Sequence, residues 1–167
     1  MDLFILRHGI AEARGTPTPG GDSQRRLTTD GKTKMRRAAR GMRLLELDFD
    51  LILTSPFLRA SETAEIVAEV FGLEQKLVLS TALVPDGNPK ELLDLLKKEH
   101  RKRKRILLVG HEPYLSRLIS LLISGDTAIA ITLKKGGLCK LSSASVHYGR
   151  CATLEWLLTP SQMRSVR

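Results

Sequence analysis

The sequence predicts an α/β fold: a single-domain, three-layer sandwich over residues 1–167, with a mainly parallel central sheet, helices on both faces and an antiparallel element near the C-terminus. Three observations predict it. Short apolar runs recur at residues 3–6, 51–54, 77–79 and 106–109, as strands covered on both faces require. Helical patterns lie between these runs, and such alternation favours parallel crossovers. A chain of 167 residues also buries roughly two thirds of the surface its unfolded form exposes, so one core holds without disulfide or metal staples.

The first run, LFIL, passes straight into Arg7, His8 and Gly9, and then into a surface loop through residues 16–21. The spacing predicts an amphipathic helix over 30–47, with Met35, Ala38, Ala39, Met42 and Leu45 on one stripe. Lys32, Lys34, Arg36, Arg37, Arg40 and Arg43 surround the remainder, which makes the outer face basic, either as a solvated surface or as a guide for an acidic partner. After the second strand, Ser55 and Pro56 read as an N-cap and a first helical residue, and Gly72 as the stop. GNPKELLDLLKKEH starts a helix after Pro89, and EPYLSRLISLLIS starts another after Val109. Residues 137–143 and 152–158, separated by ASVHYG, read as a hairpin.

Composition narrows the function classes. A hydrophobic fraction of 42% with 27% charged residues belongs to a globular chain and excludes whole-chain disorder. Only Cys139 and Cys151 occur, both in strand-like sequence, so buried thiols in a reducing cytoplasm are expected. No apolar run approaches the roughly 20 residues of a membrane span, and no export signal precedes the first strand. A cytoplasmic, soluble protein without a membrane partner follows. The net charge of +9 favours an acidic or phosphorylated partner. Much of it sits in KKEHRKRKR, residues 97–105, where no aromatic side chain is interleaved for stacking on bases, so a nucleic-acid partner is not expected.

Three strand ends carry unusual side chains. Arg7 and His8 end the first, Arg59 lies in the opening turn after the second, and His111 follows the strand ending at Val109. In a parallel sheet all four converge on the edge where such folds bind ligands. Two guanidiniums beside two imidazoles describe an anion pocket rather than a metal site, because they repel a divalent cation and offer paired donors to phosphate oxygens. No metal and no cofactor are expected.

The same residues carry a resemblance. LRHG, SPFLRASETA and GHEP, in that order and each at a strand exit, resemble the histidine phosphatase superfamily, also called phosphoglycerate mutase-like. The short length and the phrases RLTTDGK and ALVPDG are most similar to its small SixA-like phosphohistidine phosphatases. The resemblance implies that His8 is the nucleophile, with one ring nitrogen held by a backbone carbonyl. Arg7, Arg59 and His111 would bind the phosphoryl oxygens and neutralise charge in an in-line transition state.

One part of the pattern is missing. Larger members carry a glutamate that protonates the leaving oxygen, whereas LSTALVPDGNP has Ala82 there and only Asp86 nearby as a candidate proton donor. That favours a leaving group needing no enzymic acid, such as the imidazole of phosphohistidine with its pKa of about 6.5. The expected substrate is therefore phosphohistidine in a signalling or phosphotransfer protein, with a small phosphate ester as the alternative. A phosphate-binding module without turnover and a nucleic-acid-binding protein are weaker readings, since neither needs a nucleophile among the cations. Glu12, Arg26 and Thr28 either line the pocket mouth or order its loop.

Overall fold

A computed structural model describes residues 1–166. Its strands are β1 (Asp2–Arg7), β2 (Leu51–Thr54), β3 (Leu77–Leu79), β4 (Arg105–Gly110), β5 (Leu138–Ser142) and β6 (Thr153–Leu158). They form one sheet in the order β3-β2-β4-β1-β5-β6. The first four in that order run parallel, while β5 is antiparallel to β1 and β6 to β5. Between or after them lie α1 (Thr29–Leu44), α2 (Leu58–Phe71), α3 (Pro89–Glu99), α4 (Tyr114–Ser124) and α5 (Pro160–Ser165).

Alternation along each strand divides the core into two layers. Leu3, Ile5, Ile106 and Leu108 pack under α3 and α4, through Leu92, Leu96, Leu115 and Leu118. Phe4, Leu6, Leu107 and Val109 pack under α1 and α2, through Met35, Met42, Ala64 and Val67. Burial on both faces is why these strands are apolar at every position rather than at every second one. The chain steps outward from β1 to β2 and β3, then returns to place β4 between β1 and β2. The winding therefore reverses beside β1 and β4, which sets the ligand edge there.

Local chemistry ends the helices where the sequence marks them. Thr28 caps α1, its hydroxyl accepting the Gly31 N–H at 2.9 Å. Gly72 and Gly125 close α2 and α4 in the left-handed conformation, at φ 67° and 96°. Asn88 caps α3 just before Pro89.

Several expectations are corrected. Ser55 does not cap α2: its N–H continues the β2 ladder to Val109 O at 3.0 Å, and α2 starts two residues after Pro56, behind Phe57. α1 stops at Leu44 rather than residue 47, because the chain turns through Glu46 at φ 57°. β3 is a sheet edge with Leu79 exposed by 57%, not a strand covered on both faces. Cys139 is the buried strand thiol expected, opposite Leu157, whereas Cys151 lies just before β6 and is only half-buried. Burial in apolar surroundings pushes the Cys139 thiol up to about 12.

α5 was not expected. Its start is written as a capping box, in which Thr159 and Gln162 satisfy each other's backbone N–H groups ahead of Pro160. It docks through Met163 onto Gly41 of α1, where an added Cβ would lie 1.8 Å from the Met163 carbonyl oxygen. Backbone contact of that kind admits only glycine. G41A should therefore lower stability by about 1–3 kcal/mol through overpacking. A fall in the urea midpoint checks this, and an unchanged midpoint would mean that α5 slides freely on α1.

Candidate active site

The parallel ladder extends one residue beyond the strands and sets the site. Arg7 pairs in register with Gly110, and the His8 N–H donates to Gly110 O at 3.0 Å. The segment after Leu133 braces the same exit: Arg7 Nη1 donates to Leu133 O at 2.9 Å, and the Gly136 N–H reaches the carbonyls of Arg7 and His8. From the other side, Thr63 of α2 accepts the Gly9 N–H at 3.0 Å while its hydroxyl donates to Arg59 O at 2.7 Å. His8 is held by three separate parts of the chain.

That bracing fixes its tautomer. His8 Nδ1 lies 2.8 Å from Gly9 O, and a carbonyl only accepts, so Nδ1 carries the proton and Nε2 is the bare nitrogen. Arg59 Nε donates to that Nε2 at 3.3 Å. The His111 ring stands 5.2 Å from the His8 ring, centroid to centroid, with its Nε2 2.9 Å from Ser55 Oγ. Phe57 packs its ring against both the His111 imidazole and the Arg59 guanidinium. Arg7, His8, Arg59 and His111 thus line one open cavity of about 560 Å³ at the carboxyl edge of the sheet.

Electrostatics keep both imidazoles neutral. Burial, reinforced by Arg59 and Arg7, lowers His8 to about 3, and burial with the neighbouring His8 and Arg59 lowers His111 to about 3. A neutral imidazole with an exposed lone pair is a nucleophile across the whole neutral range. Among the described residues Arg7 Nε and His111 Nδ1, like Tyr114 Oη outside the cavity, are buried without a hydrogen-bond partner.

The sequence reading missed the carboxylate of this cluster. Asp22, in a short 3-10 turn (Gly21–Gln24), presents its backbone carbonyl to Arg59 Nη1 at 2.7 Å and its carboxylate to Arg59 Nη2 at 3.0 Å. Arg25 Nε holds the other carboxylate oxygen at 2.9 Å. Partial burial alone would raise Asp22, but Arg59 and Arg25 outweigh it and hold the carboxyl below its usual range. Charge-neutralised cations of this kind could have been sought in GDSQRRLT, although the loop position of Asp22 is set by tertiary contacts. Arg14, Glu112 and Lys135 also line the cavity.

The remaining expectations divide. Glu12 lines the cavity and accepts the Arg26 N–H at 3.2 Å. Arg26 and Thr28 do not line it, and Thr28 serves as the helix cap. Asp86 is not among the cavity residues: Pro85 reaches it, and the carboxylate of Asp86 does not. Ala82 is buried under the sheet.

Comparison with known proteins agrees with this geometry. A sequence profile described as Histidine phosphatase superfamily (branch 1) matches residues 3–83, the part that carries Arg7, His8 and Arg59. A protein of Picosynechococcus sp. is 37% identical over 148 residues, 88% of either chain. The phosphohistidine phosphatase SixA of Escherichia coli is 26% identical over 168 residues, covering 100% of this chain and 99% of that one. A solved structure of the protein histidine phosphatase SixA complexed with tungstate superposes at a TM-score of 0.82, with 26% identity over 98% of this chain and 99% of that chain.

Fold and cluster together define an α/β phosphatase, a hydrolase acting on phosphate groups. Within that class, this chain belongs to the histidine phosphatase superfamily.

The two depressed imidazoles link stability to acidity. Each has a folded pKa of about 3 against about 6.5 unfolded, so the unfolded chain binds more protons between those values. The associated stability is complete above about pH 6.5 and is lost as pH falls towards about 3, by up to about 1.4 kcal/mol per pH unit for each ring. Asp22, held below the ordinary carboxyl value of 3.8, adds its own loss only at more acid pH, below that value. H111Q should therefore flatten the slope of denaturation free energy between about pH 6.5 and 4 without removing it. A slope identical to that of the wild type would show that His111 is not buried neutral.

Proposed function

We propose that this chain is a metal-independent phosphatase that works through a covalent phosphohistidine, and that its substrate is phosphohistidine on a signalling or phosphotransfer protein. The observation that carries the reading is the bare Nε2 of His8, aimed at Arg59 Nε within a cavity shared with Arg7 and His111. A divalent metal is disfavoured by the donor set, which is dominated by guanidiniums.

In the first step the Nε2 lone pair of His8 forms a bond to phosphorus as the bond to the leaving group breaks. The substrate ring carries a proton on its other nitrogen, so the leaving nitrogen takes that electron pair and departs as neutral imidazole. Arg7 and Arg59 bind the equatorial oxygens, and their donors gain strength as charge spreads over those oxygens in the transition state. Substrate phosphate takes from Asp22 the Arg59 donors that it occupies in the free protein. In the second step water attacks phosphorus, the N–P electron pair returns to His8, and the proton of water passes to solvent with the released phosphate.

Leaving-group chemistry supports the protein substrate. Asp22 is held ionised, Asp86 does not reach the cavity, and the other two carboxylates that line it, Glu12 and Glu112, accept the backbone N–H groups of Arg26 and Ser116, which supports a site that gives no proton to an alkoxide. An alkoxide, whose conjugate acid has a pKa of about 15.7 if it resembles water, needs one. Imidazole does not. The openness of the site also suits a side chain offered by a second protein. The resemblance to SixA, described as a phosphohistidine phosphatase, supports the same substrate class.

A panel of phosphohistidine proteins, aryl phosphates and alkyl phosphates tests this. Phosphohistidine and aryl phosphate should turn over with far higher kcat/KM than glycerol phosphate. H8A should retain the fold and lose hydrolysis together with an acid-labile phosphoenzyme, while R7A and R59A should each lower kcat by about a hundredfold or more. Equal efficiency on alkyl and aryl esters would refute the leaving-group argument. A marked preference for one sugar phosphate over every phosphohistidine protein would assign the site to a small metabolite instead.

A further inference from the structure

Beside the active-site cavity lies a second, smaller one of about 140 Å³ that the proposed reaction does not use. Its floor is apolar, formed by Ile10, Met35, Ala38 and Pro160, and its rim carries Lys34, Lys135 and Arg164. Among the described residues no carboxylate lines it. Lys135 lines both cavities, and Gly9, next to His8, borders the socket, so the two open on the same edge of the sheet.

Glycine keeps the socket open. An added Cβ at Gly136 would stand 3.5 Å from the Pro160 Cβ and 3.7 Å from the Met35 Sδ, between two of the floor residues. At φ +75° that position also disfavours any other residue. An apolar cavity of about 150 Å³ accommodates a benzene ring, so the volume fits one aromatic side chain. A thioether in the floor adds favourable contact with a ring edge. Lys34 is paired with Asp30 at 2.7 Å, so Lys135 and Arg164 lead the selection of an aromatic residue set among carboxylates, since a buried anchor inside a polar rim is how protein interfaces concentrate their affinity.

We propose that this socket docks an aromatic side chain flanked by carboxylates on the protein that presents the phosphorylated group. The proposal rests on the reading of the substrate as a protein and names the surface feature by which that protein is recognised. Docking beside Lys135 holds the partner so that its phosphorylated side chain enters the neighbouring cavity. Anchor and phosphate are then recognised separately, the one by shape and charge, the other by the cluster around His8.

Two measurements test the socket. In the first, a short synthetic peptide with one Phe among Glu residues is titrated into the isotope-labelled full chain. Saturable shifts should appear at the amides of Gly31, Met35 and Gly136, and both K34E/R164E and a Ser-for-Phe peptide should weaken binding about tenfold or more. Shifts centred on residues 97–105, equal binding of the Ser peptide, or no binding would overturn the proposal. In the second, K34E/R164E should raise KM for a phosphohistidine protein about tenfold while leaving aryl phosphate turnover unchanged. An unchanged KM for the protein would also overturn it. If the wild type hydrolyses no phosphohistidine protein, the substrate reading fails by itself, and the peptide titration still decides the socket.

Discussion

The site depends on one constraint: the parallel ladder of β1, β4 and β2 continues past the last strand residues. His8 N–H bonds Gly110 O and Ser55 N–H bonds Val109 O, each at 3.0 Å. These two bonds set side by side three residues far apart in sequence, because His111 follows Gly110 and its ring meets Ser55 Oγ. A slip of one residue in any strand would reverse its side chains from one face to the other. Apolar content alone would tolerate that slip, because both faces are apolar; it is the close fit of Leu3 and Ile5 into one layer and of Phe4 and Leu6 into the other that opposes it. Core packing thereby determines the distance between two imidazoles.

The second consequence is electrostatic. Arg59 has only 2% of its surface exposed, and in isolation a buried guanidinium would carry a desolvation cost of several kcal/mol. Asp22 offsets it by presenting two oxygens in the arrangement that a phosphate would offer. The free protein therefore keeps the Arg59 donors in place, and on the proposed reaction a tetrahedral dianion meets them already assembled. Because Asp22 lies on a short turn with its side chain half exposed, it can yield those donors without disturbing the sheet. The neutral imidazoles fit the same logic: a cluster already rich in guanidiniums lowers its own repulsion by leaving both rings uncharged.

The sequence exposed those features that repeat or that sit beside strand ends. Four parallel strands were legible as apolar runs, and Arg7, His8, Arg59 and His111 stood out because charge follows each run directly. Features that depend on contact between distant segments were hidden. Ser55-Pro56 carries the pattern of a helix start, but its hydroxyl is engaged by His111 and by the Phe57 N–H, and only the fold brings that imidazole there. Asp22 reads as an ordinary loop residue until the turn places it against Arg59. Asp86 stood out as the one acid near the position of the missing glutamate, yet the turn directs Pro85 into the cavity instead. The helix α5 is too short for periodicity to reveal, although its Thr-Pro-Ser-Gln start states a cap plainly.

On the proposed reaction, a leaving group that needs no enzymic acid and an open cavity belong to one design. A site that must protonate an alkoxide gains from excluding water, because desolvation adds to the repulsion of the nearby dianion in keeping a carboxylic acid protonated. An imidazole leaving group removes that requirement. The cavity can then stay open to a bulky protein substrate, which a closed lid would exclude. Openness, however, weakens small-molecule recognition, since few contacts surround whatever the phosphate is attached to. On the proposed reaction, selectivity must then come from outside the reacting cluster, from surface contacts on the same sheet edge. The apolar socket with its cationic rim stands in that place, and the exposed basic face of α1 adds a longer-range attraction for an acidic partner. On that reading chemistry at His8 is indifferent to the identity of the partner, and recognition rests on residues that never touch phosphorus.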